Sequence, residues 1–137
     1  MIGLVIVAHG GFAQELLNAA EHVVGPLPGA AAIGLGPKDD MAKRRAEVER
    51  AVAEVNDGDG VVILTDLFGG SPSNLAIATM GSMEGVDVVT GANLPMMMKL
   101  AKTRTGARRD AVAAAVEAGR RYILDARELL EDNEGAR

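Results

Sequence analysis

Met1-Ile2-Gly3-Leu4-Val5-Ile6-Val7-Ala8-His9-Gly10-Gly11 opens the chain, and its reading decides the fold. An apolar run rich in Val and Ile and flanked by glycines is the pattern of a strand buried on both faces of a parallel sheet. Such a strand needs helices above and below it, so the run predicts an α/β domain. His9 stands where the strand ends, just before Phe12, Leu16, Leu17, Ala20, Val23 and Val24 take up helical spacing. In open α/β sheets, ligands gather beyond the carboxyl ends of strands. His9 therefore has three readings: a nucleophile, a metal ligand, or packing at a strand end.

The alternation of strand and helix continues from there. Gln14, Asn18, Glu21 and His22 form the polar face of the first helix, which places His22 in solvent, and Gly25-Pro26-Leu27-Pro28-Gly29 ends it. Ala30 to Leu35 is a weaker strand, followed by Gly36-Pro37 and by Asp39 and Asp40 in the first turn of a helix. Met41, Val48, Val52 and Val55 mark the apolar stripe of that helix, and Asn56-Asp57-Gly58-Asp59-Gly60 makes a turn. Val61-Val62-Ile63-Leu64-Thr65 is the clearest central strand, with Asp66 at its carboxyl end. After Leu67-Phe68-Gly69-Gly70, Ser71 is expected to cap a helix that has Pro72 in its first position.

Val86 to Thr90 reads as the fourth strand, and Gly91-Ala92-Asn93 leads into a helix near Leu94-Pro95. Of Met96-Met97-Met98, one or two belong to the core. From Arg108 onward, Val112, Val116, Gly119, Ile123, Ala126 and Leu130 recur at a period of about 3.5 residues. That predicts one long amphipathic helix facing the core or a dimer partner, with fraying over 131–137. Residues 1–137 read as a single domain: α/β, doubly wound, with a mainly parallel four-stranded sheet in the order 2-1-3-4 and helices on both faces. The C-terminal region has room for a fifth, antiparallel strand.

Composition narrows the function. The chain has 137 residues and is 48% hydrophobic but 2% aromatic, so Val, Leu, Ile, Ala and Met must build the core. Its net charge of −5 argues against a nucleic-acid partner, which selects for a basic patch. With no cysteine, disulfides, thiolate metal sites and cysteine nucleophiles drop out. No stretch approaches the roughly 20 apolar residues of a membrane span, and no basic segment precedes the first strand. The absence of cysteine fits a reducing cytosol.

His9, Asp66 and Ser71 fall on one edge of the expected sheet. In the order 2-1-3-4 the first and third strands are neighbours, and the crevice between their ends is the topological switch point. His9 and Asp66 then face each other. A carboxylate accepting from Nδ1–H fixes the lone pair on Nε2 and stabilises the charge that develops as Nε2 attacks. Imidazole ordinarily titrates near about 6.5, so its neutral, nucleophilic form dominates above that pH. A phosphoryl group on Nε2 needs donors. Gly69, Gly70 and Ser71 offer backbone N–H groups at a helix N-terminus. Pro72 has no N–H, so Ser73 or Asn74 must supply any further one.

Bland readings exist for each residue. His9 can be a strand-end histidine, Asp66 a turn residue, Ser71 an ordinary cap, and the two glycines a sharp turn. Asn93 and Pro95 suit a loop and a helix start. Rival chemistries fit less well. A response-regulator receiver needs acidic metal ligands after its first strand, where Ala8-His9 stand. A nucleophile elbow needs Gly-x-Ser-x-Gly, and Gly69-Gly70-Ser71-Pro72-Ser73 lacks the last glycine. A metal hydrolase needs three or more ligands, and only His9 and Asp66 converge.

Val5-Ile6-Val7-Ala8-His9-Gly10 followed by Thr65-Asp66-Leu67-Phe68-Gly69-Gly70-Ser71-Pro72-Ser73-Asn74 resembles the mannose-family IIA domain of the bacterial phosphoenolpyruvate:sugar phosphotransferase system. Gly91-Ala92-Asn93-Leu94-Pro95-Met96 is similar to the third motif of that family. The resemblance implies that His9 takes a phosphoryl group on Nε2 from the phosphocarrier HPr and passes it to a IIB domain histidine. It implies that Asp66 orients His9 and that Ser71 lies by the phosphoryl group. It also implies a cytoplasmic homodimer with a C-terminal strand often exchanged, no metal or organic cofactor, and at most peripheral membrane association through a permease complex.

Two departures modify these expectations. The chain ends at Arg137 without a IIB domain, which allows a free-standing regulatory IIA whose His9 phosphorylation state controls a partner protein. The segment from Arg120 to Leu130 reads as helix, not as an exchanged strand.

Overall fold

Alternate residues of the first strand enter two separate cores. The computed structural model describes residues 1–135, with the elements β1 (Gly3–His9), α1 (Phe12–Val24), β2 (Ala30–Leu35), α2 (Met41–Val55), β3 (Val61–Thr65), α3 (Ser71–Ser82), β4 (Val86–Val89), α4 (Leu94–Thr103), α5 (Arg108–Arg121) and α6 (Ala126–Gly135). Leu4, Ile6 and Ala8 pack with Val62, Leu64 and Val89 under α1, α4 and α5. Val5 and Val7 pack with Ile33, Leu35 and Ile63 under α2 and α3. Residues Leu4 through Ala8 are wholly buried, as a strand covered on both faces must be.

The sheet runs β2-β1-β3-β4, and all its pairs are parallel. The β1–β3 register pairs Val7 with Thr65, so His9 and Asp66 both overhang the same carboxyl edge. On the other side, β1 pairs Ala8 with Gly34 and His9 with Leu35. Gly34 has to be glycine, because a Cβ there would lie 2.2 Å from the Gly10 carbonyl oxygen. That close approach seats the turn after His9 on the end of β2, where Gly10 N–H donates to the Leu35 carbonyl at 2.9 Å.

Several local details differ from the sequence reading. Asp40 is the cap of α2 and accepts from Ala42 N–H and Lys43 N–H, while Asp39 lies outside the helix and accepts from Gly36 N–H and Arg44 Nε. Of the apolar residues of α1, Ala13, Leu16, Leu17 and Ala20 are buried, but Phe12 and Val23 are exposed. Met96 and Met97 belong to the core, and His22 is exposed.

The single long tail helix is two helices, and among the described residues the sheet gains no fifth strand from it. The Gly119 carbonyl, which a continuing helix would offer to Ile123 N–H, accepts instead from Asn93 Nδ2 at 3.0 Å. Asp125 then starts a new helix, its Oδ1 accepting from Arg127 N–H and Glu128 N–H. α6 runs to Gly135, and residues 136–137, part of the tail expected to fray, lie outside the described residues.

Candidate functional site

β1 delivers His9 and β3 delivers Asp66 to adjacent positions on the sheet edge. Asp66 Oδ2 accepts from the His9 backbone N–H at 2.9 Å and lies 2.8 Å from His9 Nδ1. Its other oxygen accepts from Leu67 N–H at 3.0 Å. The His9 side chain is 52% exposed and that of Asp66 14%, so the imidazole reaches outward from a sheltered carboxylate. Burial works against ionisation of Asp66. The His9 backbone N–H, the His9 ring and the Leu67 N–H outweigh it and hold the carboxyl below the usual carboxylate range. An ionised carboxylate only accepts, so Nδ1 carries the ring proton and Nε2 carries the lone pair.

The turn holding Asp66 is itself braced. Thr65, fully buried, donates through Oγ1 to the Leu67 carbonyl at 3.3 Å, and its own carbonyl accepts from Ala92 N–H at 3.0 Å. The second bond ties the Gly91-Ala92-Asn93 loop to the site. Asn93 does shape that loop, capping α4 by accepting from Met96 N–H, with Pro95 in the first turn.

Gly69 and Gly70 have φ values of +94° and +83°. Gly70, with ψ 177°, occupies a region essentially reserved for glycine. It, and not Ser71, is the cap residue of α3, so Ser71 is the first residue of the helix and Pro72 the second. The Ser71 side chain makes no cap bond and is exposed. Asn74 N–H is taken by the Gly70 carbonyl, which leaves the loop, Ser71 and Ser73 as backbone donors. A Cβ on Gly70 would lie 3.5 Å from both Nε2 and Cε1 of His9, so the bare glycine keeps open the space beside Nε2.

That geometry sets an expectation for Gly70→Ala. The backbone strain should cost about 1–3 kcal/mol. If His9 takes a phosphoryl group on Nε2, as the family resemblance implies, crowding there should slow that step by about ten-fold or more, about 1.4 kcal/mol in the barrier. Gly69→Ala is the control: its φ is equally unfavourable, but nothing lies within 4 Å of its Cβ position. It should lose stability and keep its rate, as urea denaturation and a phosphorylation time course would show.

Sequence reasoning missed one wall of the site. His9 and Ser71 share a cleft of about 360 Å³ with Leu35, Pro37 and Met41, contributed by the end of β2 and the start of α2. Asp39 fastens this wall, bonding Gly36 N–H at 2.7 Å and Arg44 Nε at 3.1 Å. The adjacency of β2 to β1 was the available signal. Three apolar side chains flanking the site in sequence, Phe12, Leu67 and Phe68, are also exposed, Phe68 by 76%.

Sheet order and site define a doubly wound α/β domain with an exposed imidazole, braced by a carboxylate, at its topological switch point. The family model EIIA-man, described as "PTS system fructose IIA component", matches residues 3–117, and the chain belongs to that family. It is similar to the mannose-specific EIIAB component of Escherichia coli (strain K12), with 31% identity over 124 residues that cover 89% of this chain and 38% of that protein. The chain thus spans well under half the length of that relative. Among solved structures it resembles the phosphotransferase system component EIIA from Streptococcus agalactiae, at a TM-score of 0.83 and 29% identity, covering 91% of this chain and 97% of the other. It also resembles the mannose/sorbose specific IIA subunit from Enterococcus faecalis, at a TM-score of 0.82 and 27% identity over 90% and 93% of the two chains.

Proposed function

We propose that this protein is a phosphoryl relay of the sugar phosphotransferase system, with His9 as the carrier. The observation that carries the reading is the 2.8 Å approach of Asp66 Oδ2 to Nδ1, which leaves Nε2 free beside Gly70. The Nε2 lone pair attacks phosphorus on the phosphohistidine of HPr. The N–P bond to HPr breaks and its electron pair returns to the HPr imidazole. Nδ1 keeps its proton throughout, and Asp66 stabilises the positive ring. The same steps in reverse, against a IIB histidine, pass the group on.

Exchange between two imidazoles is close to balanced in energy, so positioning and fixed electrostatics carry the rate. Asp66 does the positioning. Donors at the start of α3, the Ser71 N–H and hydroxyl among them, receive the phosphoryl oxygens. The exchange needs no metal or organic cofactor. In this reading the protein works in the cytoplasm as a homodimer and meets a permease through protein contacts. No helix of the described residues is long and apolar enough to cross a membrane.

Incubation with phosphoenolpyruvate, Enzyme I and HPr, followed by intact mass, tests the proposal. One acid-labile phosphoryl group per chain, dependent on all three components, is the expected result. A chain whose mass never changes would remove the relay function.

A further inference from the structure

Arg104, which closes the C-terminal end of α4, is 4% exposed, and arginine is rarely buried so fully without a partner. Its Nε donates to the Ile2 carbonyl at 2.8 Å and its Nη2 to the Gly29 carbonyl at 3.1 Å, just ahead of β1 and β2. The Arg104 carbonyl accepts in turn from Ile2 N–H at 2.8 Å. These bonds fix the side chain at the amino edge of the sheet, opposite the edge that carries His9. Carbonyl dipoles hold a guanidinium in place without neutralising it. Buried charges are ordinarily paired, yet among the described residues Arg104 forms no ion pair. Burial pulls its pKa below the usual guanidinium value, and the field of Asp57 only partly offsets that.

The third nitrogen, Nη1, donates to no atom of the described residues. Among those residues Ser73 Oγ is the one side-chain polar atom both sealed from solvent and unpartnered, so Nη1 reaches open space. That space is a cleft of about 490 Å³ between the end of α1, the loop before β2 and the end of α4. Val24, Pro26, Leu27 and Ala101 give it apolar walls, and the exposed Lys102 adds a second positive charge. No carboxylate lines it. Glu21, at the start of the same loop, accepts from Leu27 N–H at 3.0 Å and is tied to the loop backbone.

We propose that this cleft binds a small aliphatic carboxylate, its anionic end on Arg104 Nη1 and Lys102 and its hydrocarbon part against Val24, Pro26, Leu27 and Ala101. The volume falls in the range of small-molecule sites, which combine apolar walls with a few placed polar groups. Arg104 is already held by its backbone bonds, so a ligand does not have to order it. Apolar walls with two cations suit a monoanion that has a hydrocarbon part. Inorganic phosphate has no such part and would leave the walls uncovered. The cleft shares no residue with the His9 edge, so it stands independently of the relay.

The test is titration of the full chain with hexanoate, followed by nitrogen–proton correlation NMR. Hexanoate should bind with a dissociation constant of about 1 mM or tighter. The amide signals of Leu27, Gly29 and Ala101 should shift, and those of His9 and Gly70 should not. Hexanol, which lacks the charge, and inorganic phosphate, which lacks the hydrocarbon, should each bind there about ten-fold more weakly or worse. Lys102→Glu, at an exposed position, should keep its fold by circular dichroism and weaken hexanoate about ten-fold. Lys38→Glu makes the same charge change beyond the end of β2, at the opposite edge, and should bind like wild type. Absent hexanoate binding, hexanol or phosphate bound as tightly, equal affinity in Lys102→Glu, equal weakening in Lys38→Glu, or shifts centred on His9 would each overturn the proposal. A failure of the relay would show in the phosphorylation assay and leave the titration standing.

Discussion

His9→Ala takes up no acid-labile phosphate from phosphoenolpyruvate, Enzyme I and HPr: this is the largest effect expected. Under the proposed relay the substitution removes the acceptor atom itself, so no slower route through the same site remains. Folding should survive it. The strand that carries His9 is fixed by Leu4 through Ala8, all wholly buried, while the His9 side chain projects beyond the core. The His9 backbone N–H, which alanine retains, keeps its bond to Asp66. His22 is the one other histidine, and it is exposed on α1. His22→Ala should therefore phosphorylate like wild type, and intact mass on the two variants separates the assignments. A label that persists in His9→Ala would move the chemistry elsewhere.

Asp66→Asn is expected to slow phosphorylation by up to about 10⁴, the loss that follows when a neutral amide fails to hold a catalytic imidazole in the right tautomer. The bonding of the carboxylate explains why an isosteric amide is a poor replacement. Oδ2 accepts from both the backbone and the ring of His9, and Oδ1 accepts from Leu67 N–H. Whichever way the amide is turned, its NH₂ faces a backbone N–H of His9 or of Leu67. That lost acceptor should cost about 1–3 kcal/mol.

The acid limb should change as well. The folded carboxyl of Asp66 is held below its unfolded value of about 3.9. Its contribution to stability is thus full above that pH and is lost as the pH falls through the lower folded value. Asp66→Asn should lack this part of the acid destabilisation. Urea denaturation across the acid range and initial rates of phosphorylation measure the two effects separately.

The parts of the molecule that were legible in the sequence are those fixed by burial on both faces. β1 and β3 announce themselves because every residue from Leu4 to Ala8 and from Val61 to Thr65 is covered, leaving no polar alternation. Once these two strands are neighbours, His9 and Asp66 must share an edge, and the β1–β3 register places them there.

What escaped the sequence depends on contacts between distant residues or on backbone conformation. Asn93 reaches Gly119, twenty-six positions away, and diverts the carbonyl that would have carried the tail helix onward. The 3.5-residue stripe continues past that point, so periodicity alone runs the two helices together. Ser71 looks like a cap because serine commonly is one. The positive φ of Gly70 shifts the helix start by one residue and takes that role away. Phe12 falls on the first turn of α1, where helical spacing suggests burial, yet its side chain is exposed. The wall formed by Leu35, Pro37 and Met41 left no motif, because apolar residues at a strand end, in a turn and at a helix start read the same whether they face a site, the core or solvent.

The central claim is that Asp66 holds the Nδ1 proton so that His9 receives phosphorus on Nε2. Nitrogen–proton correlation NMR of the phosphorylated chain, with nitrogen-labelled histidine, reads this directly, because the two ring nitrogens give separate signals and only the substituted one couples to phosphorus. The expected spectrum shows phosphorus coupled to Nε2 of His9 and a protonated Nδ1. Phosphorus coupled to Nδ1, or carried by any other residue, would contradict the account.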